Sequence, residues 1–183
     1  MDRRKRLSHI LALGLCGFSL MAADKAPTAA EVFDRQLKGT EAEFVPLVEA
    51  MPADKFNFAP TAGDFKGVRT FAQQAKHAAF VIYMASAGLL GEKNPSAGGP
   101  DENGPDNLVT KEQIVQYVKD AFAYAHRAVA TLTNQNLLQA TDPKGARTRV
   151  ETAGLLFWHT RDHYGQMVEY LRMNGLVPPA SRR

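Results

Sequence analysis

Trp158-His159-Thr160-Arg161-Asp162-His163-Tyr164-Gly165-Gln166-Met167 lies inside a longer segment, Arg149 to Asn174, whose apolar residues recur at helical spacing. Thr152, Leu155, Leu156, His159, His163, Gln166, Met167, Tyr170 and Leu171 fall on one face of a chain that turns every 3.6 residues. The segment predicts an amphipathic helix with Gly175 as its C-cap and Pro178 and Pro179 beyond it. Residues four apart on a helix project side by side, with Cβ atoms about 5–6 Å apart. His159 and His163 can therefore reach one metal ion together.

Three further segments carry the same periodicity. From Thr28 to Met51, the residues Val32, Phe33, Leu37, Phe44, Leu47 and Val48 are spaced mainly by three, four and seven, and Thr28 is placed to cap the helix. Pro46 lacks a backbone donor and is expected to kink or break this helix near Glu43 to Pro46. Residues 52–68 mix Pro, Gly and Asp with Phe56, Phe58 and Phe65, which predicts an ordered loop laying its rings on the bundle end. A second helix follows from about Arg69 to Leu90, with Phe71, Gln74, His77, Ala78, Val81, Met84 and Ala85 as its stripe. Gly91 to Leu108 is dense in Gly, Pro, Asn and Asp and reads as a long polar connection that can cross along the bundle. Thr110 and Gln113 make a capping-box pattern ahead of Ile114, Val118, Ala121, Phe122, Ala125, Val129 and Leu132. There is no run of alternating β-branched residues and no internal repeat. The chain thus predicts an all-α fold, a four-helix bundle over residues 28–179 with a long connection between helices two and three.

His77, on the inward stripe of the second helix, is the natural third ligand to the pair on the fourth. An HxxxH pair alone arises in ordinary cores and surfaces, and a lone His77 among apolar neighbours reads as a hydrogen-bonded core residue. Three inward histidines on two helices are harder to explain that way, because a buried imidazole without a partner is costly. Imidazole nitrogen suits zinc, nickel, copper and iron alike. Gln166, one turn from His163, is the expected partner for its second ring nitrogen. Asp162 is expected in a surface ion pair, Trp158 and Tyr164 in packing, and Gly165 where another helix comes close. His126 borders the third helix's apolar face and is not expected to be a ligand. Thr160 stands where HExxH peptidases place their Glu, which disfavours peptide hydrolysis by that scheme.

Residues 1–6 (MDRRKR) carry four positive charges, and Ile10 to Ala22 is an uncharged apolar run ending in small residues. That pattern predicts an export signal over residues 1–22 and a periplasmic or secreted protein, with membrane contact only through an uncleaved signal. Without that segment's net +3 the chain's total of +3 falls to near zero. Nothing then favours a phosphate backbone, so nucleic acid is excluded as a partner and an unidentified small molecule is expected instead. The single cysteine, Cys16, lies in the same segment, leaving no thiolate ligand in the remainder.

The QQAKHAA segment around His77, the WHTRDHYGQM segment and the closing RMNGLVPP from Arg172 to Pro179 resemble the DinB-like (DinB/YfiT) metal-binding four-helix proteins. The resemblance covers most of the chain beyond the signal. It implies a divalent ion, zinc or nickel foremost, held by His77, His159 and His163, and frequent homodimers. It also implies a metal-dependent hydrolase or thiol S-transferase of unassigned substrate. The alternative is a non-catalytic module in which the metal staples two helices.

Overall fold

A threonine followed three residues later by Glu or Gln starts each of the four α-helices: α1 (Ala29–Ala50), α2 (Phe71–Leu90), α3 (Lys111–Val129) and α4 (Arg149–Met173). In each, the Thr side chain accepts from the backbone N–H three residues on, and that residue's side chain accepts from the Thr N–H. The reciprocal bonds satisfy donors that the helix geometry leaves free, and losing one such threonine costs about 1 kcal/mol. Thr28 and Thr110 are the two expected from the sequence; Thr70 with Gln73 and Thr148 with Glu151 carry the same pattern. The structure, a computed structural model, describes residues 26–182 except 97, 143, 144 and 146. The expected export signal lies outside the described residues. Among those described, no helix is long and apolar enough to cross a membrane, and no β-structure forms beyond one isolated bridge, Ala140 to Thr148.

Of the kink or break expected near Glu43 to Pro46, the break does not occur: α1 runs on through Pro46. The proline removes one backbone donor, but Phe44, Leu47 and Val48 around it are fully buried, and that packing holds the helix through the gap. α2 begins at Phe71, two residues later than expected, and is buried on most of its circumference rather than along one stripe. Its small residues Ala72, Ala75, Ala78, Ala79 and Ala85 allow neighbours close on several sides. Met84, placed on the inward stripe by periodicity, is exposed instead. α4 ends at Met173 with Asn174 as its cap, and Gly175 follows in the left-handed region at φ 73°.

Contacts between the helices fix their directions. Phe44 meets Phe122, Asp34 meets His126 and Glu49 meets Lys119, so α1 and α3 are antiparallel. Phe33 against Phe157 and Glu43 against Arg161 make α1 and α4 parallel. His77 faces His159 while Gly88 faces Thr152, so α2 and α4 are antiparallel. Tyr83 stacks on Tyr117, and Glu92 pairs with Arg127, which makes α2 parallel to α3. Two consecutive parallel helices need a connection spanning the bundle, and residues 91–110 supply it. In the loop before α2, Phe56 is buried against Phe71 and Phe58 packs on Tyr170, as expected, but Phe65 is exposed.

The crossover is clamped to α2. Lys76, almost fully buried, donates from Nζ to the Pro105 carbonyl at 3.0 Å, and Arg69 donates to Asn103 Oδ1 and to the Asp101 carbonyl at 2.8 and 2.9 Å. Gly104 makes that approach possible: φ is +78°, and a Cβ there would stand 2.8 Å from the Lys76 Cβ. Asp101 and Glu102 also adopt positive φ, 53° and 57°, a conformation that non-glycine residues hold only when their surroundings impose it.

Gly104→Ala is expected to lower stability by roughly 1–3 kcal/mol in urea unfolding; an unchanged midpoint and slope would contradict the close packing described. A second prediction concerns α1. Lys38 and His126 both bond to Asp34 and hold its carboxyl below the ordinary 3.8. A depressed carboxyl stabilises above its unfolded value and ceases to as pH falls through the lower folded value. Asp34→Asn should therefore cost on the order of 0.5 kcal/mol at pH 7, a difference that closes in strong acid; unfolding with a chelator present at both pH values measures it, and a gap that persists in acid would contradict it.

Candidate metal centre

Antiparallel packing of α2 on α4 brings His77 opposite His159 and His163. Their ring centroids are 5.1 and 4.8 Å from that of His77, and the two α4 rings are 4.5 Å apart. One ligand atom from each lies within 4.8 Å of the others, a group that could hold a metal ion. His77 and His163 are buried, while His159 is only partly covered, so the cluster has one side toward solvent.

Hydrogen bonding decides which nitrogen each ring offers. His77 Nδ1 lies 2.7 Å from the Glu102 carbonyl, which can only accept, so Nδ1 carries the proton and Nε2 presents its lone pair. The His163 tautomer is set through three side chains. Asp162 Oδ2 as a carboxylate only accepts, so the Gln166 amide nitrogen faces it, at 3.0 Å. The Gln166 oxygen then accepts from Gln74 Nε2 at 2.9 Å, and Gln74 Oε1 is turned to receive the proton of His163 Nδ1. His163 Nε2 is thus also a lone pair. His77 Nε2 and His159 Nε2 stand 3.3 Å apart. His159 Nδ1 is buried with no hydrogen-bond partner.

Burial keeps all three rings neutral. Desolvation, with weaker repulsion between the rings, takes His159 down to about 4 and His163 to about 3, and desolvation also lowers His77 despite the opposing Glu102 carbonyl. Arg69 adds a positive potential at each. Neutral imidazoles with converging lone pairs are what a divalent ion requires, and two of the three are held in the correct tautomer by fixed acceptors. The donor set fits zinc, nickel or a similar ion.

Several expectations about the surroundings need correction. Gln166 is not the direct partner of His163; Gln74 is, and Gln166 stands one step further along the chain of bonds. Asp162 has its bond to Gln166 where an ion pair was expected. A Cβ on Gly165 would meet nothing within 4 Å, so no helix among the described residues approaches there. Trp158, expected in packing, is 60% exposed with its ring centroid 5.7 Å from that of His159, whereas Tyr164 packs against the core as expected. His126 lies away from the cluster, bonded to Asp34 and Glu41 at 2.6 and 3.0 Å. Sequence reading missed Gln74 and the Glu102 carbonyl as supports. A polar Gln74 on an otherwise apolar stripe, one turn from His77, was the available signal.

Residues 36–167, well over half of the chain, match the model of the DinB superfamily, and the chain belongs to that superfamily. No curated protein matches it.

Gln74→Leu should fold normally yet lose about 10–100-fold in affinity for a divalent ion, because His163 loses the acceptor that fixes its tautomer. Competition with a chelating dye measures this, and an unchanged affinity would remove Gln74 from the site.

Proposed function

We propose that this DinB-superfamily protein is a metal-dependent enzyme, a hydrolase or thiol S-transferase acting on a small molecule, with one zinc or nickel ion on His77, His159 and His163. The observation that carries this reading is the donor count. Three imidazoles come together, and the described residues place no fourth His, Cys, Asp or Glu in the group. Three protein ligands with a position left for solvent or substrate mark reactive rather than purely structural sites. When bound, such an ion supplies Lewis acidity to a substrate or solvent atom.

The chain's own residues do the positioning. Glu102 O and Gln74 hold two rings so that they cannot swing away, and the clamped crossover keeps the Glu102 carbonyl in place. Burial of His77 and His163 excludes water from the inner side and leaves the partly covered His159 edge for entry. The Asp162 to His163 chain fixes the proton on Nδ1 and keeps Nε2 free. The basic, then apolar, N-terminal segment supports export to the periplasm or beyond, and the near-neutral remainder supports a small-molecule rather than nucleic-acid partner. Homodimerisation, as in other DinB-like proteins, belongs to the same reading. A metal that only staples α2 to α4 is the second reading, favoured by the ligands lying on both helices.

With metal at 100 times its Kd, the protein should gain about 2.7 kcal/mol and its Tm should rise roughly 5–10 °C, an increase lost in His77→Ala and His159→Ala. Hydrolysis of activated esters and thiol transfer to an electrophilic dye, assayed with and without a chelator, test the chemistry. Metal uptake with no metal-dependent turnover in either assay favours the staple, and equal Tm with and without metal overturns the site.

A further inference from the structure

Gln74 and Gln166, which support His163, also form one wall of a cavity of about 810 Å³ at the start of α2 and the end of α4. They stand three residues from His77 and His163 respectively, about 4.5 Å along each helix axis. The cavity gathers apolar side chains that the core leaves out: Phe65, Val68 and Met173 line it at 41, 38 and 52% exposure. Three such residues at one concavity form a surface suited to a hydrocarbon body.

Arg69 is the cation among the residues that line the cavity. Its Nε and Nη2 donate to Asn103 Oδ1 and to the Asp101 carbonyl, both neutral acceptors, so no described carboxylate is ion-paired with the guanidinium. The two bonds fix its plane and leave Nη1 and part of Nη2 for a ligand. Two carboxylates, Asp101 and Glu169, also line the cavity, and Glu169 is paired with Arg172 at 2.6 Å. They oppose a second negative charge. The potential of Arg69 reaches all three histidines, which places an anion bound there within electrostatic range of the metal centre.

We propose that this cavity binds a small monocarboxylate with an apolar body, its carboxylate on Arg69, its hydrocarbon on Phe65, Val68 and Met173, and its remainder toward Gln74 and Gln166. As the substrate class of the metal centre the proposal rests on the preceding reading; as a binding site it does not. Arg69 is a binding residue in this scheme, and the loop carrying Phe65 and Val68 supplies selectivity by size.

Isothermal titration of the metal-loaded and the chelator-treated full chain with phenylbutyrate and with phenylbutanol tests it. The acid is expected to bind at least about tenfold tighter than the alcohol in both forms. Arg69→Gln should remove about tenfold of the acid's affinity while leaving the alcohol within about twofold, and Val68→Glu should weaken both ligands, the acid about tenfold more than the alcohol. Val68→Glu guards against disturbance of the crossover by the loss of Arg69, since Val68 makes no bond to it. The proposal is overturned if the acid binds no tighter than the alcohol, if neither binds, or if the preference survives both substitutions. A preference seen only with metal puts the carboxylate on the ion and also overturns it. If no metal loads but the preference stands, the metal reading fails and this one survives.

Discussion

Three neutral imidazoles meet between two packed helices, and two of them have their Nε2 lone pairs fixed by hydrogen bonds at Nδ1, an arrangement that a cation among the rings satisfies best. At 3.3 Å, the Nε2 atoms of His77 and His159 can share a proton, but one proton serves one pair and leaves His163 unmatched. A divalent ion serves all three at once. Much of the surrounding structure follows from holding those lone pairs in place: the Glu102 carbonyl on one ring, the Gln74–Gln166–Asp162 chain on another, and the burial that keeps both neutral. Polar chains of this kind are worth having only when each member is satisfied, and here the direction of the whole chain is set by one carboxylate at its end.

Topology supplies what the two ligand-bearing helices lack. Because α2 and α3 are parallel, the chain between them must travel the bundle's length, and its route passes over the N-terminal half of α2. There Arg69 and Lys76 hold it by its carbonyls, and the same loop presents Glu102 to His77. Positive φ at Asp101 and Glu102 is the local cost of turning those carbonyls inward. A connection that periodicity reads only as long and polar is thus part of the site.

The helices and the pairing of His159 with His163 were legible because each is a property of one helix face: spacing by three and four shows which residues share a side. Burial on several faces is less legible, and so Met84 was assigned to a stripe that α2, packed nearly all round, does not have. What touches what across helices depends on their axial register, which no single helix encodes. His163 meets Gln74 rather than its own neighbour Gln166 for that reason. Arg69 was invisible as a site residue because its partners come from a loop 32 to 34 positions away. Pro46 shows the converse: a strong local breaker was overridden by buried neighbours on both sides.

The match to the DinB superfamily covers residues 36–167, and within that span the helices bring His77, His159 and His163 together as a group that could hold a metal ion. Hydrogen bonds at Nδ1 of His77 and His163 leave Nε2 as the nitrogen that each of those two rings offers an ion. The most direct measurement is a crystal structure of the zinc- or nickel-loaded protein with anomalous scattering at the metal edge. The account requires a single anomalous peak about 2.0–2.1 Å from Nε2 of His77, His159 and His163, with a non-protein ligand completing the shell. A peak coordinated through Nδ1, one lying elsewhere in the bundle, or one closed by a fourth protein side chain would contradict it.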